Sequence, residues 1–311
     1  MLMLMPYRID ARKRGLPLIT VLICLISGVV FWEQVESERQ YRASIESFCS
    51  SALDDHAISI LQTITHDKRQ RPCFSFFNPI REASDPEAAM AELVAQAEPL
   101  DIFVSPIDGQ AYIASVLRDS YEYYDRAIPE LLTDKLAYDP KDLDWTRMIT
   151  ATFSHGDLGH LLGNLLFFYI FAASVELLMG TLTFAVFISV ATIGTSLAYS
   201  FTVMHLETAL PTVGLSGVVM ACLVALALMM PGARIRHLLW IILYFRVIRI
   251  PAFFLMLWYV GWDIYDMRRL GNDSLINYAA HLGGALIGGL IGAYYAFFRR
   301  DLLDRARVHY S

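Results

Sequence analysis

Apolar residues in this chain gather in long uninterrupted runs separated by polar stretches. The runs are Gly15 to Trp32, Leu158 to Met179, Leu182 to Met204, Val213 to Met230, Pro251 to Trp262 and Leu275 to Phe298. Most approach the roughly 20 residues a helix needs to cross a bilayer core. In lipid only helices and closed barrels satisfy their own backbone groups, so the pattern predicts an all-α membrane protein with six transmembrane helices. Between the first two runs, residues 33–146 are polar and charge-rich, with helical-looking stretches broken by turn signals at Asn78-Pro79, Ser105-Pro106 and Asp108-Gly109. That segment is expected to be a mainly helical extracytoplasmic insertion. The organisation that follows is a cytoplasmic N-terminus (1–14), a first transmembrane helix (15–32), the extracytoplasmic region (33–146), a helical core (147–300) and a cytoplasmic tail (301–311).

Charge sets the orientation. Arg8, Arg12, Lys13 and Arg14 precede the first run and hold the N-terminus in the cytoplasm. A cleaved signal peptide is the competing reading, but no small-x-small site precedes Glu33, so a retained anchor is expected. Alternating crossings then put Arg234, Arg236, Arg246 and Arg249 in one cytoplasmic loop and Arg299, Arg300, Arg305 and Arg307 in a cytoplasmic tail, as the positive-inside rule requires. Arg268 and Arg269 fall outside, partly balanced by Asp263, Asp266 and Asp273. Residues His237 to Phe245 are apolar but too few to span and are bracketed by arginines. They read as an amphipathic connector at the cytoplasmic interface, in preference to a longer fifth helix.

Composition narrows the functions. The 311 residues are 56% hydrophobic with a net charge of −6, and mean hydropathy is +0.44. No basic surface is available for nucleic acid, and no cofactor is implied. Of four cysteines, Cys24 and Cys222 lie in apolar runs, whereas Cys49 and Cys73 lie in the external region. A Cys49–Cys73 disulfide is left open, because compartment favours it but nothing in the sequence fixes the distance.

The candidate chemistry sits near the starts of alternate runs. Ser216, in Val213-Gly214-Leu215-Ser216-Gly217, and His281, in Ala280-His281-Leu282-Gly283-Gly284, share one expected depth below the external surface. Ionisable groups in spanning segments are costly, which makes a histidine there a functional candidate, and a nearby serine supplies a nucleophile. Gly217, Ala221 and Ala225 recur every four residues on one run, as Ala280, Gly284, Gly288 and Gly292 do on another. Such stripes let helix backbones approach closely, and if they face each other the hydroxyl and imidazole come within reach. Plain helix packing explains the stripes but not the serine and histidine beside them. His160 and Asn164, four apart on one helix face, could donate to a tetrahedral oxyanion together with the Ser216 backbone N–H. Zinc is the rival use of His155 and His160, disfavoured because Asp157 lies on another face. His155 reads as a loop-packing residue, and Glu176, about 18 Å from Asn164 along the helix, as a structural hydrogen-bonding one.

Taken together, His155-x4-His160-x3-Asn164 with Glu176, Gly214-Leu215-Ser216-Gly217, Ala280-His281-x2-Gly284-x3-Gly288 and Trp145-Thr146-Arg147 resemble the rhomboid intramembrane serine proteases over roughly residues 144–300. The resemblance implies a rhomboid-like six-helix bundle working through a serine–histidine dyad without a third acidic member. Ser216 would be the nucleophile, His281 the general base and acid, and His160 and Asn164 the oxyanion donors. No metal or cofactor is implied. Substrates would be single-pass transmembrane proteins, cut in or near the bilayer. The setting would be a bacterial plasma membrane with both termini cytoplasmic and the site toward the extracytoplasmic face. In the family the fifth helix gates substrate entry, which implies a gating role for Trp258 and Trp262, although lipid-facing aromatics explain them as well. One position departs from the pattern. Met220 stands where a tyrosine stacked on the histidine is common, and a thioether can also contact an aromatic ring favourably. The competing functions are a catalytically inactive relative that binds or chaperones membrane proteins, and a transporter. The intact Ser216 and His281 argue against the first. Scarcity of charge in the inner halves of the runs argues against the second.

Overall fold

The structure, a computed structural model, describes residues 2–9, 15–53, 55–65, 72–83, 85–95, 105–206, 209–241, 244–270 and 276–307. Arg12, Lys13, Arg14 and Asp273 of the charge argument lie outside them. The chain divides into two compact units, residues 1–34 with 133–311, and residues 35–132. In order, the elements are β1 (Leu2–Ile9), α1 (Leu18–Ser47), a π-helical turn (Phe48–Ala52), α2 (Asp55–Thr65), α3 (Pro72–Glu82), α4 (Pro86–Ala95), α5 (Pro106–Ala127) and α6 (Leu132–Leu136). There follow α7 (Trp145–Phe153), α8 (Leu158–Met179), α9 (Thr181–Val203), α10 (Ser216–Met229), β2 (Arg234–Ile241), β3 (Tyr244–Pro251), α11 (Ala252–Leu270), α12 (Tyr278–Phe298) and α13 (Arg300–Arg307).

Among the described residues, four helical stretches are long and apolar enough to cross a membrane: Leu18–Ser51, α8, α9 and α12. Their outer faces carry exposed large apolar side chains, among them Leu22, Leu25, Leu182, Val186, Leu286 and Leu290. Apolar surface of this extent has no place in water, and it marks an integral membrane protein. The interior is built around α10, which is apolar all round and buried over nearly its whole length. Val218, Ala221, Cys222 and Leu226 of α10 share one core with Phe168, Phe171 and Val175 of α8. Gly180 alone joins α8 to α9, at φ +84°, a backbone conformation that side chains disfavour.

Glu176, 1% exposed, explains how α1 is held. Its Oε1 accepts the Ile19 N–H at 3.0 Å, and its Oε2 accepts the Thr20 N–H at 2.9 Å and the Thr20 hydroxyl at 2.7 Å. These are first-turn donors of α1 that have no partner within the helix, and a carboxylate there also meets the positive end of the helix dipole. Replacing Glu176 with Gln puts an N–H₂ group where an acceptor is needed. Thermal unfolding in detergent micelles should show a loss of roughly 2–3 kcal/mol, with Glu176→Asp intermediate. An unchanged midpoint would remove this anchoring role.

The connector between α10 and α11 is a β-hairpin, a form that the expectation of an amphipathic connector leaves open. Strand β2 pairs antiparallel with β3, from Arg234 opposite Pro251 to Ile241 opposite Tyr244, and β1 adds on the other side, from Leu2 opposite Ile241 to Ile9 opposite Ile235. The physical reason is alternation. Ile235 and His237 are buried whereas Arg234 is exposed and Arg236 half-buried, a period of two that no helix face can accommodate. The apolar stretch Leu238 to Phe245 hides that alternation in the sequence.

Residues 35–132 form a helical unit with a core of its own. Phe48, Phe76, Phe77, Ile113, Leu117 and Tyr124 are buried together. Phe77 stacks on Tyr124 at 5.2 Å, and Phe48 meets Tyr124 edge-on at 5.3 Å. A disulfide joins Cys49 to Cys73 with their Cα atoms 5.7 Å apart. Arg81 pairs with Asp125 at 3.3 Å and donates to the Ile128 carbonyl at 3.0 Å.

Candidate active site

Ser216 is the first residue of α10, and the turn before it is pinned from two sides. Thr212 exchanges backbone hydrogen bonds with Tyr138, and the Gly214 N–H donates to the Ala151 carbonyl at 2.8 Å. Tyr138 is itself fixed, fully buried with its hydroxyl 2.5 Å from that of Ser200. Gly214 adopts φ +120°. A Cβ there would lie 2.9 Å from the Cε1 and Nε2 atoms of His160 and 3.5 Å from the Asn164 Nδ2. Glycine is therefore required twice, for its dihedral and for the packing of the imidazole against its backbone. Because Ser216 opens the helix, its N–H and the next two lack intrahelical acceptors and carry the positive end of the dipole.

His160 and Asn164 reach this turn from α8. Asp157 caps that helix, accepting the His160 N–H at 2.9 Å. Asn164 is 8% exposed, and its Nδ2 is buried without a hydrogen-bond partner. An unpaired buried donor is destabilising on the order of 1–3 kcal/mol, and this one lies beside the Gly214 backbone in the turn before Ser216. His155 supports the cluster from behind. It is 1% exposed, its ring meets that of His160 edge-on at 5.2 Å, and its Nδ1–H donates to the Phe153 carbonyl at 3.2 Å. Gln34 clamps the His155 backbone, accepting its N–H at 3.1 Å and donating to its carbonyl at 3.2 Å. Burial, and then the neighbouring His160, push the His155 imidazole down to about 4, so it is neutral near pH 7 and acts as packing.

The two small-residue stripes do face each other. A Cβ on Gly284 would lie 2.0 Å from the Gly217 carbonyl oxygen, one on Gly288 2.1 Å from that of Ala221, and one on Gly292 3.0 Å from the Ala225 Cα. Helices α10 and α12 thus run parallel with their backbones touching. A Cβ on Gly217 would in turn lie 3.1 Å from the Ala280 carbonyl oxygen, so Gly217 packs between Ala280 and Gly284, and the residues next to it and to Ala280, Ser216 and His281, stand at the same level of the bundle. The start of α12 is fixed by Asn277, whose Oδ1 accepts the Ala280 N–H at 2.9 Å and whose Nδ2 donates to the Thr212 hydroxyl at 3.2 Å. Ser216, His281, His160 and Asn164 are thereby gathered around the turn at the head of α10.

Sequence reasoning missed three residues here. Asn277 carries a signal, an Asn just before an apolar helical run. Thr212 carries none. Asp263 falls in an outside loop by hydropathy, but α11 continues through it to Leu270, and its Oδ2 lies 3.1 Å from the His281 Nδ1. Met220 is buried in the bundle core. Trp258 and Trp262 are exposed on α11, edge-on to each other at 5.7 Å. Among the described residues, no three His, Cys, Asp or Glu side chains converge as a metal-binding set.

A family model described as Rhomboid domain matches residues 142–298, which spans the whole of this cluster. No curated protein and no solved structure matches the chain.

Proposed function

The chain belongs to the rhomboid family, and from that premise we propose that it is an intramembrane serine endopeptidase acting on single-pass transmembrane proteins. Ser216 is the nucleophile and His281 the base that takes its proton and returns it to the leaving amine. His160, the Asn164 amide and the N–H groups at the head of α10 receive the oxyanion. The observation that carries this reading is the buried Asn164 Nδ2, unpaired and packed beside the Gly214 backbone. Its place beside the turn that carries Ser216 is what supports its use as an oxyanion donor.

We place six crossings, made by α1 and α8 to α12. Pairing of β1 with β2 supports this count, because segments that share a sheet lie on one side of the bilayer and an even number of crossings then separates them. Helices α1, α8, α9 and α10 supply four. The 14 residues of α10 rise about 21 Å, short of a core about 30 Å thick. With its C-terminal end at the sheet, Ser216 then lies several ångströms below the opposite surface. Arg234, Arg246 and Arg249 on the hairpin support a cytoplasmic sheet side, in a bacterial plasma membrane, with the site extracytoplasmic. Trp258 and Trp262 on α11 gate the entry of substrate from lipid. The helical unit at residues 35–132, with its disulfide, lies in the oxidising compartment outside.

The test is cleavage of a single-pass membrane protein by the full chain in lipid vesicles. Asn164→Ala should lower kcat by roughly 10²–10³ while KM stays within about twofold, because the donor acts on charge that develops in the transition state. A loss confined to KM would make Asn164 a binding residue. Failure of the wild type to cut any such substrate while still retaining it would favour an inactive membrane-protein binder.

A further inference from the structure

We propose that Asp263 is a positioning residue for His281, fixing its tautomer and orientation from α11 and giving the site a third, acidic member. The proposal rests on the reading of Ser216 and His281 as nucleophile and base.

Three observations carry it. The Asp263 Oδ2 and the His281 Nδ1 are 3.1 Å apart, with both side chains sheltered, at 13% and 15% exposure. The pair joins residues 18 apart in sequence on two different helices, so it is a tertiary contact and not a neighbour effect within one helix. The exposure pattern around Asp263 is also inverted. Trp262, Ile264 and Tyr265 are exposed apolar residues at 46%, 41% and 52%, while the carboxylate between them is turned inward. A sheltered polar group among exposed apolar ones is the informative case, and here the group it meets is the imidazole.

The chemistry follows from donor and acceptor inventories. An ionised carboxylate only accepts, so the His281 Nδ1 carries the hydrogen and the Nε2 lone pair is the one free to act as base. As Ser216 Oγ bonds to the scissile carbonyl carbon, the carbonyl π pair moves onto oxygen and the hydroxyl proton passes to Nε2. The imidazolium keeps its Nδ1–H directed at Asp263, which stays ionised throughout. Collapse of the intermediate breaks the C–N bond, and the Nε2 proton goes to the departing amine. Water then repeats the sequence on the acyl-enzyme, giving its proton to Nε2 and returning Ser216 Oγ–H. Asp263 acts through His281. Its work is to exclude the tautomer that would point N–H at Ser216.

The experiment pairs kinetics with a spectroscopic readout, both on the full chain in lipid vesicles. With histidine labelled in ¹⁵N and its ring neutral, wild-type His281 should show a protonated Nδ1 and a bare Nε2, and Asp263→Ala should move the proton to Nε2. Asp263→Ala should lower kcat by about 10- to 100-fold with KM within twofold, and Asp263→Glu should recover part of that loss. A wild-type His281 already protonated at Nε2, or an Asp263→Ala variant with unchanged kcat, would overturn the proposal. The tautomer result decides the role of Asp263 even if no substrate is cut. A protonated Nδ1 that depends on Asp263, in a chain whose Ser216 never reacts, would uphold the positioning contact and refute the protease reading.

Discussion

Replacing Ser216 with alanine is expected to lower peptide-bond hydrolysis by 10³-fold or more, to the level of the uncatalysed reaction plus what binding and the oxyanion donors provide. The change removes one hydroxyl at the first position of α10 and introduces the best helix former, so the fold has no reason to suffer. Thermal unfolding should therefore be unchanged within about 0.5 kcal/mol. His281→Ala should cost a similar factor, and the double variant little more than either single one, because a nucleophile without its base and a base without its nucleophile are equally idle. Substantial cleavage by either variant would remove the pair from the mechanism.

The second large effect comes from the contact that brings the pair together. Gly284→Ala places a methyl group 2.0 Å from the Gly217 carbonyl oxygen, a backbone atom that cannot swing aside. Helices α10 and α12 must then separate at the level of Ser216 and His281. The expected cost is about 1–3 kcal/mol of stability from overpacking and a loss of activity on the order of 100-fold, since misplacement by an ångström suffices for that. Gly289 is the control. It lies five residues on in the same helix, and a Cβ there meets only the Val224 Cγ1 at 3.8 Å, an ordinary contact. Gly289→Ala should be close to wild type in both cleavage and thermal midpoint. Equal damage from the two substitutions would mean that helix propensity or general packing, and not the α10–α12 contact, governs the site.

Much of this arrangement was written in spacing. The four-residue stripes on α10 and α12 predicted the face along which they meet, because only small side chains permit backbone contact and their period marks one side of a helix. The span Leu158–Met179 coincides with α8 because Asp157 caps it and Gly180 ends it, and both signals are local. Hydropathy misjudged other ends. Helix α1 runs on to Ser47 beyond the apolar stretch that ends at Trp32, since charged residues such as Glu38 and Arg42, paired at i,i+4, are good helix formers. Helix α10 begins at Ser216 and not at Val213, because Gly214 at φ +120° is not helical. The same misjudgement on α11 hid Asp263. Ending that run at Trp262 left the next residue in a loop, and no sequence rule pairs a carboxylate with an imidazole on another helix. The β-hairpin and its pairing with β1 were illegible for a related reason, since strand partners distant in sequence leave no mark in a local window.

The most direct test of the central claim is the site of covalent attack by a serine-directed phosphonate probe on the full chain in lipid vesicles. A single adduct is predicted on the peptide that carries Ser216, formed by the wild type and by Gly289→Ala. It should be absent from Ser216→Ala and formed at least 100-fold more slowly by His281→Ala. Labelling on any other serine, or labelling of Ser216 at the same rate without His281, would contradict the account.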